Sequence, residues 1–265
     1  SYRNYTVKRY WRESLLLALL LANVLVWGLV SQKKSSDILS VYFLDVGQGD
    51  AIFFETPDKK QVLIDGGKNR KVLTELGKIM SFDDRYIDVV IETHPDLDHA
   101  GGLVAVRESY EVGLNLDQNT ARRGQVINFG DGVMLAILFP TGDVSKLDPN
   151  DGSVVAKLVY GGHSFLLTAD AGLRTENILL NLAKTQVDTD VLKAGHHGSR
   201  TSTSLPFAQA ASPMYAIISS GKGNSYGHPH KEVLSNLEKV SAEVLNTAEK
   251  GTIKFETDGK ILELK

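Results

Sequence analysis

The six residues His94-Pro-Asp-Leu-Asp-His99 place two imidazoles and two carboxylates within six positions. Nitrogen and oxygen donors at that density, with no sulfur among them, suit a borderline divalent cation such as Zn²⁺ or Mn²⁺. The four side chains converge only if the backbone turns sharply at a strand end. The flanks fit that demand: an apolar β-type run, 86–93, leads in, and Ala100-Gly-Gly102 leads out. A solvated acidic turn is the alternative, since Pro95 and the Asp residues also suit one.

Four further strand ends carry an Asp or a His. Asp65 follows Val62-Leu-Ile64, and Asp170 follows 164–169. His196 follows 191–195 and opens His196-His-Gly-Ser199, and His228 lies in Tyr226-Gly-His-Pro229. In layered α/β architectures the strand ends converge on one edge, and sites form there. A lone polar cap is ordinary; five, all Asp or His, predict a common site.

The elements that must position these groups fall in two strand-rich batches. In the first, 38–44, 51–55, 61–64 and 87–91 read as strands, with a tight turn at Asp45-Val-Gly-Gln-Gly-Asp50. Helical periodicity covers 71–80, and a helix begins at 101 and runs to 110. In the second batch, 125–129, 133–139, 153–160 and 164–168 are strands, the last two joined through Gly161-Gly162-His163 as a hairpin. Helices at 175–184, 205–211 and 231–240 then alternate with strands at 189–192 and 215–219. A terminal hairpin turns at Asp258-Gly259. Two mixed sheets with helices outside are expected.

Composition bounds the setting. The chain has 265 residues, is 42% hydrophobic and contains no cysteine, which excludes disulfides and thiolate metal sites. Residues 14–30 form an uncharged apolar run of 17, with Arg3, Lys8, Arg9 and Arg12 before it and Lys33 and Lys34 after it. This reads as a transmembrane helix at the short end of the spanning range, with Tyr10, Trp11 and Trp27 at the interfaces. The charge asymmetry puts the N-terminus inside and the domain extracytoplasmic. A signal peptide is the competitor, but no small-x-small cleavage signal follows. The expected organisation is a basic segment and membrane anchor in 1–35 and one folded domain in 38–265. Six of the 29 Lys and Arg and two of the 32 Asp and Glu lie in 1–37, leaving 23 against 30 and a formal charge of −7. Net charge alone makes such a domain a poor non-specific nucleic-acid binder, whereas bound dications would reverse the sign locally.

The motifs together resemble a known family. His94-x-Asp96-x-Asp98-His99 is similar to the HxHxDH signature of the metallo-β-lactamase fold, with Asp96 in place of the second His. Leu44-Asp-Val-Gly-Gln-Gly-Asp50, Asn150-Asp-Gly-Ser153, Leu192-Lys-Ala-Gly-His-His-Gly-Ser199 and Asn224-Ser-Tyr-Gly-His-Pro229 resemble the C-terminal hydrolase domain of the ComEC DNA-uptake proteins. The resemblance covers about 40–260. It implies an αββα sandwich and a site for two divalent metal ions, Mn²⁺ or Zn²⁺. His94 and Asp96 would hold the first ion, Asp98 and His99 the second, with Asp170 bridging and His196 completing the second. Asp65 would orient a ligand, and Asn150 or Asp151 would replace a missing His. His163 is too far along its strand from Asp170 to join them and reads as a hairpin residue. An oxygen-rich first site shifts the expected metal toward Mn²⁺. Ala169 replaces a glycine typical of the family and is tolerated if its φ is negative.

Metal-assisted hydrolysis of a phosphodiester follows as the implied chemistry, with DNA, single- or double-stranded, as substrate and an uptake channel as partner. Asp98 would orient the water. His228 is the first candidate for proton donor to the leaving group and His197 the second, His228 as an extra ligand being the rival. Ser199 and Lys222, with Arg200, Thr201 and Ser202 nearby, are candidates for binding phosphate oxygens; a polar helix-capping segment is the alternative. Two other functions compete. One is a phosphodiesterase acting on envelope material such as choline phosphate esters, which calls for an aromatic box. The other is a non-catalytic module guiding DNA through a channel.

Overall fold

The structure is a computed structural model describing residues 3–31 and 37–265, with side chains described for 10–25 and 37–265. The N-terminal helix α1 (Arg3–Ser31) is a unit by itself, and 37–265 form another. Among the described residues no helix is long and apolar enough to cross a membrane, so the expected transmembrane anchor at 14–30 is not found there. Of that run, 26–30 lies outside the residues whose side chains are described.

In 37–265 the first sheet starts from an alternating strand, and the strands beside it are buried on both faces. Strand β1 (Leu39–Phe43) buries Leu39, Val41 and Phe43 on one face. It pairs antiparallel with β2 (Ile52–Glu55), which pairs with β3 (Gln61–Ile64). Parallel pairing then adds β4 (Tyr86–Glu92) and β5 (Glu111–Asp117). The second sheet begins with the antiparallel strands β6 (Val126–Asn128), β7 (Val133–Phe139), β8 (Val155–Tyr160) and β9 (His163–Leu167). It continues in parallel through β10 (Val191–Lys193), β11 (Tyr215–Ile218) and β12 (Glu243–Asn246). The terminal hairpin, β13 (Ile253–Thr257) and β14 (Leu262–Leu264), joins the far edge of the first sheet beside β1.

The inward faces of both sheets share one core. Val41, Phe54, Ile64 and Ile91 meet Leu135, Leu158, Phe165 and Ile217 there. Each such side chain, fully buried, contributes about 1.5–3 kcal/mol. The outward face of the first sheet is covered by α2 (Lys71–Ile79) and α3 (Leu97–Ser109), through Val72, Leu76, Leu103 and Val106. The second sheet is covered by α4 (Leu173–Ala183), α5 (Leu205–Ala211) and α6 (Lys231–Lys239), through Leu179, Phe207, Val233 and Leu237. A last short helix, α7 (Thr247–Lys250), follows β12. The αββα sandwich expected from the motifs is therefore the architecture of 37–265.

Three local expectations shift. Helix α3 starts at Leu97 rather than 101, because Asp96 is extended (φ −63°, ψ 145°) and its carbonyl accepts from Ala100 N at 2.8 Å. Asp98 and His99 consequently sit in its first turn. Residues 44–51 form a broader loop than a tight turn. Gly49 (φ +123°) is essential in it, since a Cβ there would lie 2.0 Å from the Asp98 carbonyl oxygen. Strands β5 and β12 were not expected; both are edge-proximal and carry few buried residues.

Candidate metal centre

The ends of β3, β4, β9, β10 and β11 deliver Asp65, His94, Asp170, Lys193 and Ser219 to one edge of the sandwich. The first turn of α3 adds Asp98 and His99, and the turn after β10 adds His196 and His197. Around the His197 Nε2 atom stand Asp170 Oδ2 at 3.3 Å, Asp98 Oδ2 at 3.4 Å and His99 Nε2 at 3.3 Å. His99 Nε2 lies 3.1 Å from Asp170 Oδ1. His94 Nε2 approaches Asp170 Oδ2 at 4.0 Å and Asp96 Oδ2 at 3.8 Å. Asp50, His99, Asp170 and His197 each bring one ligand atom within 4.8 Å of the others, and all four are buried.

Hydrogen bonds settle the orientation of three imidazoles. The acceptor facing His99 Nδ1 is the Asp65 carboxylate, at 2.7 Å. For His197 Nδ1 it is the Ser219 carbonyl at 3.0 Å, with Asp50 Oδ1 at 3.3 Å. Neither kind of group can donate, so both Nδ1 atoms carry hydrogen. Thr93 Oγ1 gives its proton to Asp65 Oδ2 at 2.7 Å and can therefore accept from His94 Nδ1 at 3.1 Å, beside Ser153 Oγ at 3.3 Å. All three rings thus turn Nε2 toward Asp170, the orientation a metal ligand needs. Buried His94 Nε2 has no hydrogen-bond partner. That orphaned atom, together with the nitrogen and oxygen donor set, fits divalent ions.

Electrostatics point the same way. Burial opposes charge on His99, but Asp170 and Asp65 outweigh it and raise the ring to about 10. Burial likewise opposes charge on His197, and the Asp170 carboxylate more than offsets it, raising its pKa. The carboxylates therefore favour positive charge at this point. Burial first, then the nearby His99, holds His94 below its ordinary value and keeps it a neutral donor. Asp170 and Asp98 stay ionised below the usual carboxylate range: burial pushes against this, and the surrounding imidazoles prevail.

Two members of the centre went unrecognised in the sequence. In sequence Asp50 closes a glycine-containing turn and Lys193 follows the strand expected at 189–192. They form a fully buried ion pair, Lys193 Nζ to Asp50 Oδ2 at 2.8 Å, beneath His197. Burial opposes ionisation of Asp50, but Lys193 and His197 hold its carboxyl well below the usual range. A signal existed: in β10 the two-residue period puts Lys193 on the inward face with Val191, where a cation needs a partner.

Other expected residues land elsewhere. His197, the second candidate donor, is 1% exposed and central, whereas His196, the expected ligand, is 26% exposed with Nε2 at 3.6 Å from Asp170. The reversal follows from left-handed backbone at both residues, which turns the second ring inward. Asp151 lies beside Gly172, its carbonyl accepting from Thr175 Oγ1 at 2.8 Å, and makes no ion pair with these imidazoles; Ser153 of the same segment makes the contact to His94 instead. Asn150 Oδ1 is buried without a hydrogen-bond partner. Ser199 is also buried and shares its hydroxyl with Thr201 Oγ1 at 3.0 Å, so it does not line an open surface. Lys222 is exposed on the loop before His228. Burial first, then His197, His196 and His230, pushes His228 down to about 4, so the ring is neutral at pH 7 and poorly suited to give up a proton. His163 pairs with Tyr160 in the hairpin, as expected. Ala169 takes φ +47°, so the condition for easy replacement of a glycine there is not met and the alanine is held in left-handed backbone just before Asp170.

Residues 44–124 match the family described as Metallo-beta-lactamase superfamily. The chain is 30% identical to "ComE operon protein 3" of Bacillus subtilis over 83% of its own length and 33% of that protein. It is 30% identical to "Competence protein ComA" of Neisseria gonorrhoeae over 88% of its length and 35% of that protein. The chain thus spans about a third of the length of these relatives. In structure it superposes on a variant of the CmlA β-hydroxylase with a TM-score of 0.52, covering 78% of this chain and 52% of that one, at 13% identity; this likeness concerns the fold. Over residues 44–124 the chain matches the metallo-β-lactamase superfamily, whose members are generally metal-dependent hydrolases. Within it, the chain resembles the hydrolase domain of the ComEC competence proteins over most of its length.

Proposed function

We propose that this chain is a metal-dependent phosphodiesterase acting on DNA. The observation that carries this reading is the meeting of Asp98, His99 and Asp170 at one nitrogen of His197. The competence names of the relatives and the ComEC-type motifs support a place in DNA uptake, with the domain extracytoplasmic beside an uptake channel. His94, His99, His197, Asp98 and Asp170 would hold the ions, with Asp96 and His196 on the open side. Divalent ions there would lower the pKa of water and offset the charge of a phosphodiester. The absence of sulfur and the abundance of carboxylate favour Mn²⁺ over Zn²⁺.

The chain's own residues supply the rest. Asp98, 28% exposed and anchored to His197, is placed to accept a proton from an attacking water. Asp65 fixes the His99 ring, and Ser219 the His197 ring. Neutral His228, beside the cluster, orients a phosphate or leaving group through a ring N–H rather than as an imidazolium. Lys222 attracts the phosphate chain from outside.

Hydrolysis of single- and double-stranded oligonucleotides with added Mn²⁺, compared with Asp98→Ala, tests the reading. Cleavage that needs both the metal and Asp98 is expected. Metal-saturated protein that cleaves neither DNA form would return the reading to an envelope ester or a DNA-guiding module.

A further inference from the structure

Resting on the phosphodiesterase reading above, we infer that Tyr226 and Lys222 form a subsite that holds one unstacked nucleobase and its phosphate beside the metal centre, making single-stranded nucleic acid the preferred substrate. Aromatic rings lead outward from the cluster. The buried His197 ring lies 6.4 Å from that of His228 at 33°, and His228 stacks on Tyr226 at 5.6 Å and 24°. Tyr226 is 64% exposed, so the face not covered by His228 is open to solvent. Along the same loop runs a cleft of about 640 Å³ lined by Ser220, Lys222, Asn224 and His228, within the size range of small-ligand sites.

The loop presents Tyr226 at a defined place. Asn224 Nδ2 donates to the Gly221 carbonyl at 3.0 Å and to the His228 carbonyl at 2.7 Å, while Asn224 Oδ1 accepts from His228 N at 3.0 Å. Gln48 Oε1 accepts from Gly221 N at 3.1 Å, tying the loop to the segment that carries Asp50. A tyrosine stacked on a histidine of the site and largely exposed is a stacking platform, and every base has a face to stack. Bases inside a duplex already stack on each other, so the platform selects a strand whose base can turn out.

Charge decides against a quaternary amine in the same place. Lys222 is exposed and makes no ion pair among the described residues. The Arg200 guanidinium Nη2 lies 3.1 Å from His230 Nε2, and the His230 ring is 4.9 Å from His228. Two cations beside a single aromatic, against the one carboxylate of the cleft, Glu249, favour a phosphate over a choline group.

The test is binding of the full chain to fluorescent dT12 and to an abasic 12-mer of equal charge, by anisotropy with Ca²⁺ present. One stacked base corresponds to a factor of about 5–150 in affinity. Tyr226→Ala should weaken dT12 binding by that factor and leave abasic binding unchanged, with Tyr226→Phe restoring dT12 affinity. Equal loss for both oligomers, or no loss for either, overturns the subsite. Wild-type turnover of bis(p-nitrophenyl) phosphate with Mn²⁺ is measured alongside. Without it, base-dependent binding still upholds the subsite while the phosphodiesterase reading falls.

Discussion

On its buried wall the centre sets His99, Asp170 and His197 at 0–4% exposure, and the two imidazoles have outer partners in Asp65 and Ser219. On its open wall, Asp96 is 45% exposed and His196 26% exposed; Asp96 makes only a 3.8 Å approach to His94, and His196 has Thr201 Oγ1 at 3.3 Å. The residue types are the same on both walls. What differs is how far the fold fixes them before any ligand arrives. The buried wall has given up side-chain freedom during folding, so binding an ion costs little further ordering. The open wall keeps that freedom, and it is the side from which a substrate must enter.

The largest expected difference between the walls is catalytic. Asp170→Asn removes the carboxylate shared by four imidazoles. It should lower kcat/KM for bis(p-nitrophenyl) phosphate by about 1,000-fold or more, with loss of bound Mn²⁺ by elemental analysis. Asp96→Asn should cost nearer 10-fold and leave at least one ion per chain. Similar losses in the two variants would erase the distinction between the walls.

Folding stability gives the next test. Beneath the buried wall, Lys193 and Asp50 are fully enclosed, and removing one partner strands the other's charge. Lys193→Met should destabilise the fold by about 3–5 kcal/mol in urea unfolding, whereas the double variant Lys193→Met with Asp50→Asn should recover most of that loss. If the double variant is as unstable as the single, the pair is not what holds Asp50.

The two walls also differ in how far the sequence reveals them. His94, Asp96, Asp98 and His99 are crowded into six positions, and a local cluster of that kind is visible without a fold. Asp65 and Asp170 are visible because each ends an apolar run, and strand ends share an edge. Asp50 and Lys193 belong to different sheets, and their meeting depends on the pairing of β1 with β2 and of β10 with β9 and β11, which no local pattern contains. The choice between His196 and His197 depends on φ values of +45° and +55° in one turn. Adjacent histidines look alike in sequence, and backbone conformation alone decides which ring points inward. The short strands β5 and β12 escaped for a simpler reason: half-exposed strands lack the continuous apolar run that announces a buried one.

The smallest effect probes the strain stored behind the buried wall. Asp65, Ala169, His196 and His197 all have φ between +45° and +60°, and all lie at this one edge. Left-handed backbone costs a residue with a Cβ roughly 1–2 kcal/mol, partly offset in glycine by its larger entropy loss on folding. Ala169→Gly should therefore raise stability by about 0.5 kcal/mol, seen as a higher urea midpoint at unchanged slope, and Ala169→Val should lower it. A Gly variant no more stable than the parent would mean that the turn before Asp170 relaxes in solution, and the rigid presentation of that carboxylate would lose its support.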